Sequence, residues 1–184
     1  MLIKRCVLAL AIATAPTAAC RAADQVFFGY LNGANESPIP VASAGTGFAL
    51  VTYSPTTKMM RVEVNFANLT STTVASHIHC CFSPPATTTA IVATTTPYFP
   101  GFPIGVTSGT YDNTFDMTMA GSYNAAFLTA QGGSTAVALA VLLAGMTNST
   151  AYFNLHTTMY PGGEIRANMQ LDTVFANGFE EAAG

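Results

Sequence analysis

From residue 59 to residue 66 the chain alternates without a break. Met60, Val62, Val64 and Phe66 fall on one side of an extended backbone, and Arg61, Glu63 and Asn65 on the other. Successive side chains of a strand point to opposite faces. The pattern therefore requires a strand with one face on a core and one toward water, as in an antiparallel sheet. The same period recurs in residues 45–53, where Phe48, Leu50 and Thr52 alternate with Ala49, Val51 and Tyr53. Residues 25–31 form an aromatic-rich first strand, and Ser54 to Thr57 a turn with Pro55 suited to its second position. Further strands are predicted over 74–81 and 109–119. A closing hairpin pairs 150–156 with 164–170 around Pro161-Gly-Gly163.

Two helices interrupt this series. Ser122 is the expected cap of a helix over 123–130, which Gly132 and Gly133 end. Ser134 is the expected cap of a second over 135–144, with Gly145 as its stop. No internal repeat and no linker divides the chain. The expected fold is mainly β: a single antiparallel β-sandwich or barrel domain over residues 23–171, with two short helices before the last hairpin.

The ends read differently. Residues 1–22 have the layout of a secretory signal peptide: Lys4 and Arg5, an apolar stretch over 7–15, then small residues. That stretch is too short to span a bilayer as a helix. The protein is thus expected to be exported, to a periplasmic, cell-surface or extracellular location, with no transmembrane helix in the mature chain. Thr17-Ala-Ala-Cys20 leaves a lipid anchor at Cys20 as the alternative to a soluble form. Residues 172–184 lie outside the domain pattern. They resemble the short tails ending in Gly-Phe-Glu on exported proteins of some Gram-negative bacteria, a sorting or processing signal or else a plain terminus.

Charge excludes some partners. Only 8% of the residues are charged, against about 25% in an ordinary globular protein. Past residue 22 the basic residues are Lys58, Arg61 and Arg166; three cations against nine acidic residues give a net charge of −6. Such a chain lacks the footprint of a nucleic-acid binder, and anionic membrane surfaces are disfavoured for the same reason. Two cysteines remain in the mature chain, Cys80 and Cys81. In an oxidising compartment they form a vicinal disulfide or stay as two thiols, and the sequence leaves both open.

All three histidines lie in two segments, Ser76-His-Ile-His79 and Asn154-Leu-His156. On a strand His77 and His79 share a face, a bidentate start for zinc or copper. His156, on another strand, can add a third nitrogen, and Glu36 or Glu164 an oxygen. The competing reading is a polar network in which the rings are hydrogen-bonded to Glu36, Glu164 and backbone groups. Glu164 and Arg166 flank Ile165 in the same way, which suggests a buried structural ion pair of Arg166 with Glu36 or Glu164. No Gly-x-Ser-x-Gly elbow, phosphate-binding loop or dinucleotide fingerprint is present, so an enzyme is not the expected reading.

Several ordered motifs carry a resemblance. Leu31-Asn-Gly-Ala-Asn-Glu36 with Pro38, Gly45 and Gly47, Asn68-Leu-Thr70, His77-Ile-His79, Asn154-Leu-His-Thr157 and Pro161-Gly-Gly-Glu-Ile-Arg166 together resemble the CHRD domain, in its stand-alone secreted bacterial form. The resemblance spans residues 26–169. It implies a non-enzymatic binding or surface module for an unknown protein or surface ligand, with the 82–103 segment and the His77/His79 edge as the candidate face. Cys80 and Cys81 replace the glycine that commonly follows the second histidine, and the helical insertion is more elaborate than in chordin. Chordin's growth-factor binding is therefore not implied.

Overall fold

In a computed structural model, residues 22–83 and 89–176 are described. The leader expected over residues 1–22, apart from Ala22, and the tail beyond Ala176 lie outside the described residues.

The chain is mainly β. Its strands are β1 (Gln25–Asn32), β2 (Thr46–Ser54), β3 (Met59–Ala67), β4 (Thr73–His79), β5 (Gly109–Asp116), β6 (Tyr152–Thr157), β7 (Ile165–Asn168) and β8 (Gln170–Leu171). They form one curled sheet in the order β4-β6-β7-β1-β2-β3-β5, with β8 also pairing β1. Every pair in it is antiparallel. The sandwich or barrel expectation is realised as this one curled sheet, which places β4 and β5 at its two ends.

The alternation read from the sequence sets the faces. On the inner face Phe27, Ala49, Val51, Met60, Val62 and Val64 are buried, joined from the other half by Ile78, Phe153, Leu155 and Ile165. Each such side chain contributes about 1.5–3 kcal/mol by leaving water. The outer face differs between the halves. Around β1–β3 it carries Phe28, Tyr30, Phe48, Arg61 and Glu63 in partial or full contact with water. Around β4, β6 and β7 it is buried too: all six residues of β6 are.

Two helices, α1 (Ala125–Ala130) and α2 (Thr135–Thr147), close the inner side through Phe127, Ala138, Leu142 and Met146. Ser134 caps α2 as expected, accepting from the Val137 amide. The cap of α1 is Asn124 rather than Ser122. Its carboxamide oxygen accepts from Ala126 and Phe127, while the Ser122 hydroxyl donates to the Asp116 carbonyl. Gly145 does not stop α2, which runs on to Thr147. The glycine instead makes room for the cysteine pair. A Cβ at Gly145 would lie 2.5 Å from the Cys80 sulfur and 2.6 Å from that of Cys81. The two sulfurs are bonded to each other and face the Val141 carbonyl one turn earlier.

This packing makes Gly145→Ala an overpacking change. It is expected to cost about 1–3 kcal/mol in a denaturant melt. The cost should shrink in a Cys80→Ala/Cys81→Ala background, where the sulfurs that crowd the new methyl are gone.

Candidate metal centre

Register builds the site. His77 pairs with Asn154 and His79 with Tyr152, while Asn154 pairs with Arg166 and Tyr152 with Asn168. Residues two apart share a face, so His77, His79, Tyr152, Asn154, His156 and Arg166 all project from the outer face. Six polar or amphipathic side chains are thereby packed side by side. His77, His79 and His156 are each 8% exposed or less, and Arg166 is 1% exposed.

The long segment after β4 covers them. It returns along the free edge of β4, with bridges from His79 to Val92 and from Ser76 to Tyr98. Long connections inside a domain are usually functional, and the described part of this one supplies backbone carbonyls to buried rings. His79 Nδ1 lies 2.8 Å from the Ala90 carbonyl. His156 Nδ1 lies 3.0 Å from the Pro161 carbonyl. The Pro97 carbonyl faces the His77 ring. A carbonyl can only accept, so the Nδ1 atoms of His79 and His156 carry protons, and their Nε2 atoms keep free lone pairs.

The three rings lie close together. The centroids of His77 and His156 are 5.0 Å apart, those of His77 and His79 5.5 Å, and those of His79 and His156 6.0 Å. One ring nitrogen from each falls within 4.8 Å of the others. His79 Nε2, His156 Nε2 and His77 Nδ1 are buried and have no hydrogen-bond partner. Burial, followed by the charges of its two neighbours, pushes His77 down to about 3. Burial likewise pushes His79 down to about 4 and lowers His156. All three imidazoles are therefore neutral, the form that ligates.

The carboxylates stand apart from this cluster. Among the described residues, the group with ligand spacing holds the three histidines and neither Glu36 nor Glu164. Glu164 sits at the bend before β7, outside the strand, so it does not share the face of Arg166. Its carboxylate accepts from the Ser43 hydroxyl, the Thr70 amide and the Thr157 hydroxyl, each at 2.6 Å. Burial alone would raise its pKa, but these bonds hold it below the ordinary value. Glu36 is buried beside Asn154, whose carboxamide donates to it at 3.5 Å. Burial pushes Glu36 up to about 7, against the pull of the Arg166 charge and the Asn154 bond. The Arg166 guanidinium rests 3.5 Å from the centre of the Tyr152 ring, on which His79 also stacks at 4.5 Å. A Cβ at Gly163 would lie 2.6–2.8 Å from Asn154 and Glu36, so the Pro-Gly-Gly turn is fixed by the network it passes over.

Sequence reasoning brought out the histidines, the two glutamates and Arg166, but passed over Tyr152 and Asn154. The signal was present: both share the parity of His156 on one strand. The carbonyls of Ala90, Pro97 and Pro161 carried no signal, because a backbone group has no residue type.

The motifs at these positions fall within a family match. The CHRD domain model matches residues 27–169. The chain belongs to the CHRD domain family. No curated protein and no solved structure matches it. The matched region opens within β1 and closes between β7 and β8, so β2 to β7, the three histidines and Arg166 all lie inside it. Cys80 and Cys81 follow directly on the second histidine of this CHRD chain, and their sulfurs anchor the start of the covering segment on α2. No helix among the described residues is long and apolar enough to cross a membrane.

Two outcomes are expected from the carboxylates and Arg166. The folded-state pKa of Glu164 is lowered, so on acidification the unfolded chain takes up its proton first. The stabilisation is complete above the unfolded value and is lost as pH falls through the folded one. Glu164→Gln should flatten the acid limb of a stability–pH curve below about pH 5. Arg166→Ala should destabilise the fold, because it empties a buried space over the Tyr152 ring and removes the charge that draws the Glu36 pKa down. Combined with Glu36→Gln it should cost less than the sum of the two single changes, as read from denaturant melts.

Proposed function

We propose that this CHRD chain is an exported, non-enzymatic binding module built around a three-histidine metal centre for zinc or copper. Two observations carry the reading: one ring nitrogen of each histidine lies within 4.8 Å of the others, and each of the three rings has a buried nitrogen without a partner. A buried polar atom without a partner costs about 1–3 kcal/mol, and a cluster of three calls for one common occupant. A cation that accepts three lone pairs resolves them together. Neutral imidazole suits zinc and copper over magnesium or calcium, which prefer oxygen.

The surroundings fit that assignment. Metal-bound histidines ordinarily donate their other N–H to a carbonyl or carboxylate, which fixes the tautomer and the ring orientation. Ala90 and Pro161 do this for His79 and His156. Three protein donors leave one position of a tetrahedral ion for an exogenous ligand. Export is supported by the leader-like residues 1–22, the low charge and the bonded cysteine pair. In this setting the vicinal disulfide is a structural clip holding the covering segment to α2.

The test is elemental analysis and calorimetric titration of the untagged chain, residues 23–184, recovered after export. About one equivalent of zinc or copper per chain is expected, bound in the wild type and lost in His77→Ala/His79→Ala and in His156→Ala. Free metal at 100 times its dissociation constant should stabilise the wild type by about 2.7 kcal/mol and leave these variants unchanged. A wild-type chain that neither carries nor titrates zinc or copper would return the histidines to a purely structural network.

A further inference from the structure

The opposite half of the outer face shows an arrangement that neither the metal centre nor the core explains. Tyr30, Phe48, Asn65 and Thr110 are aligned across four strands, β1, β2, β3 and β5, by consecutive register pairs. Tyr30 is 68% exposed. Its ring centroid is 5.1 Å from that of Phe48, and Phe28 lies within 6.4 Å of both, so the three rings brace one another. Large aromatic side chains clustered at a solvent face usually mark a binding site.

The ring cluster is a ridge between two depressions. On one side a groove of about 560 Å³ runs between β1, β8 and the 34–40 loop, lined by Phe28 and Tyr30 with Asn168, Gln170 and Ser37. The Ser37 hydroxyl there is buried and without a partner. On the other side a shallower depression of about 580 Å³ takes in Phe48 with Thr46, Asn65, Ser108 and Thr110. None of the mature chain's three cations, Lys58, Arg61 or Arg166, lines either one, and Glu36 is the sole charged residue that does.

We infer that this face binds a neutral polysaccharide chain laid across the strands. Pyranose rings present C–H faces that pack on aromatic rings, and equatorial hydroxyls that both donate and accept. Amide and hydroxyl side chains do the same. Aromatic platforms flanked by Asn, Gln, Ser and Thr match that alternation of apolar face and hydroxyl edge. An anionic glycan or a phosphate would lack a counter-charge here, and a lipid would leave the amides unpaired. Four strand intervals, from β8 to β5 by way of β1, β2 and β3, span about 19 Å at about 4.8 Å each, the length of roughly four sugar units. The inference is independent of the metal reading, because no histidine lines the face.

The experiment is an array of neutral plant, fungal and bacterial glycans probed with the full mature chain, with and without EDTA. The oligosaccharide retained best is then titrated in solution. The chain has no tryptophan and seven tyrosines, so a change in tyrosine fluorescence on binding is assigned to Tyr30 by its loss in Tyr30→Phe. Retention on a neutral glycan is expected in both conditions, with affinity rising from the monomer to about the tetramer. Tyr30→Ala and Phe48→Ala should each weaken binding about tenfold or more while their melting curves stay near wild type. The inference is overturned if no neutral glycan is retained, if the monomer binds as well as the tetramer, or if both folded variants bind like wild type. Preferential retention of a decaproline peptide would also overturn it and assign the ridge to a polypeptide. Loss of binding on EDTA treatment alone would move the glycan to the histidine centre and overturn this placement.

Discussion

The burial of β6 on both faces constrains the rest of this molecule. Its inner side chains, Phe153 and Leu155, join an apolar core as any central strand does. Its outer side chains, Tyr152, Asn154 and His156, take an aromatic hydroxyl, an amide and an imidazole out of water. Desolvated groups of this kind need partners. The architecture of one half of the protein is the supply of those partners. The segment after β4 brings the Ala90 and Pro97 carbonyls, the Pro-Gly-Gly turn brings that of Pro161, and the first loop brings Glu36. Sheet order follows from the same need, since β4 and β7 must flank β6 for the row from His77 through Asn154 to Arg166 to form.

The cysteine pair has a part in this arrangement. It follows His79 without an intervening residue and marks the point where the chain leaves the sheet to cover it. Docking of both sulfurs into the space left by Gly145 ties that departure point to α2. The helical pair and the covering segment are thus mechanically connected. One face of α2 serves the core, and one residue of it serves the segment that closes the histidine site.

Much of the fold was legible in the sequence, for an identifiable reason. Strands half exposed to water, such as β2 and β3, show strict alternation, and their limits were read to within a residue or two. Strands buried on both faces show none, yet β6 was still found as one arm of a hairpin around its Pro-Gly-Gly turn. The errors came where a residue type has two uses. Ser122 fits a cap but donates to a carbonyl, while Asn124, two positions on, does the capping. Gly145 fits a helix stop but serves as a notch. For the candidate centre, parity placed His77 and His79 together, and His156 was offered as a third nitrogen from another predicted strand. Glu164 lies in the bend before β7, where strand parity no longer fixes the direction of a side chain. The single curl of the sheet was not legible, because alternation shows which side faces a core and not how far the sheet bends around it.

Two of the three clustered imidazoles come from β4 and the third from β6, on either side of the stretch that contains β5, α1 and α2. No local stretch of chain therefore holds a usable fragment of the centre beyond the His-x-His pair. The site exists only once the C-terminal strands have closed on β4. A chain that crosses a membrane unfolded would cross it without a cation. The identity of the ion would then be decided by the composition of the compartment in which folding finishes, rather than by the one in which the chain is made. Geometry alone separates zinc from copper weakly at such a site, so in the proposed centre the order of folding and transport would become part of the selectivity.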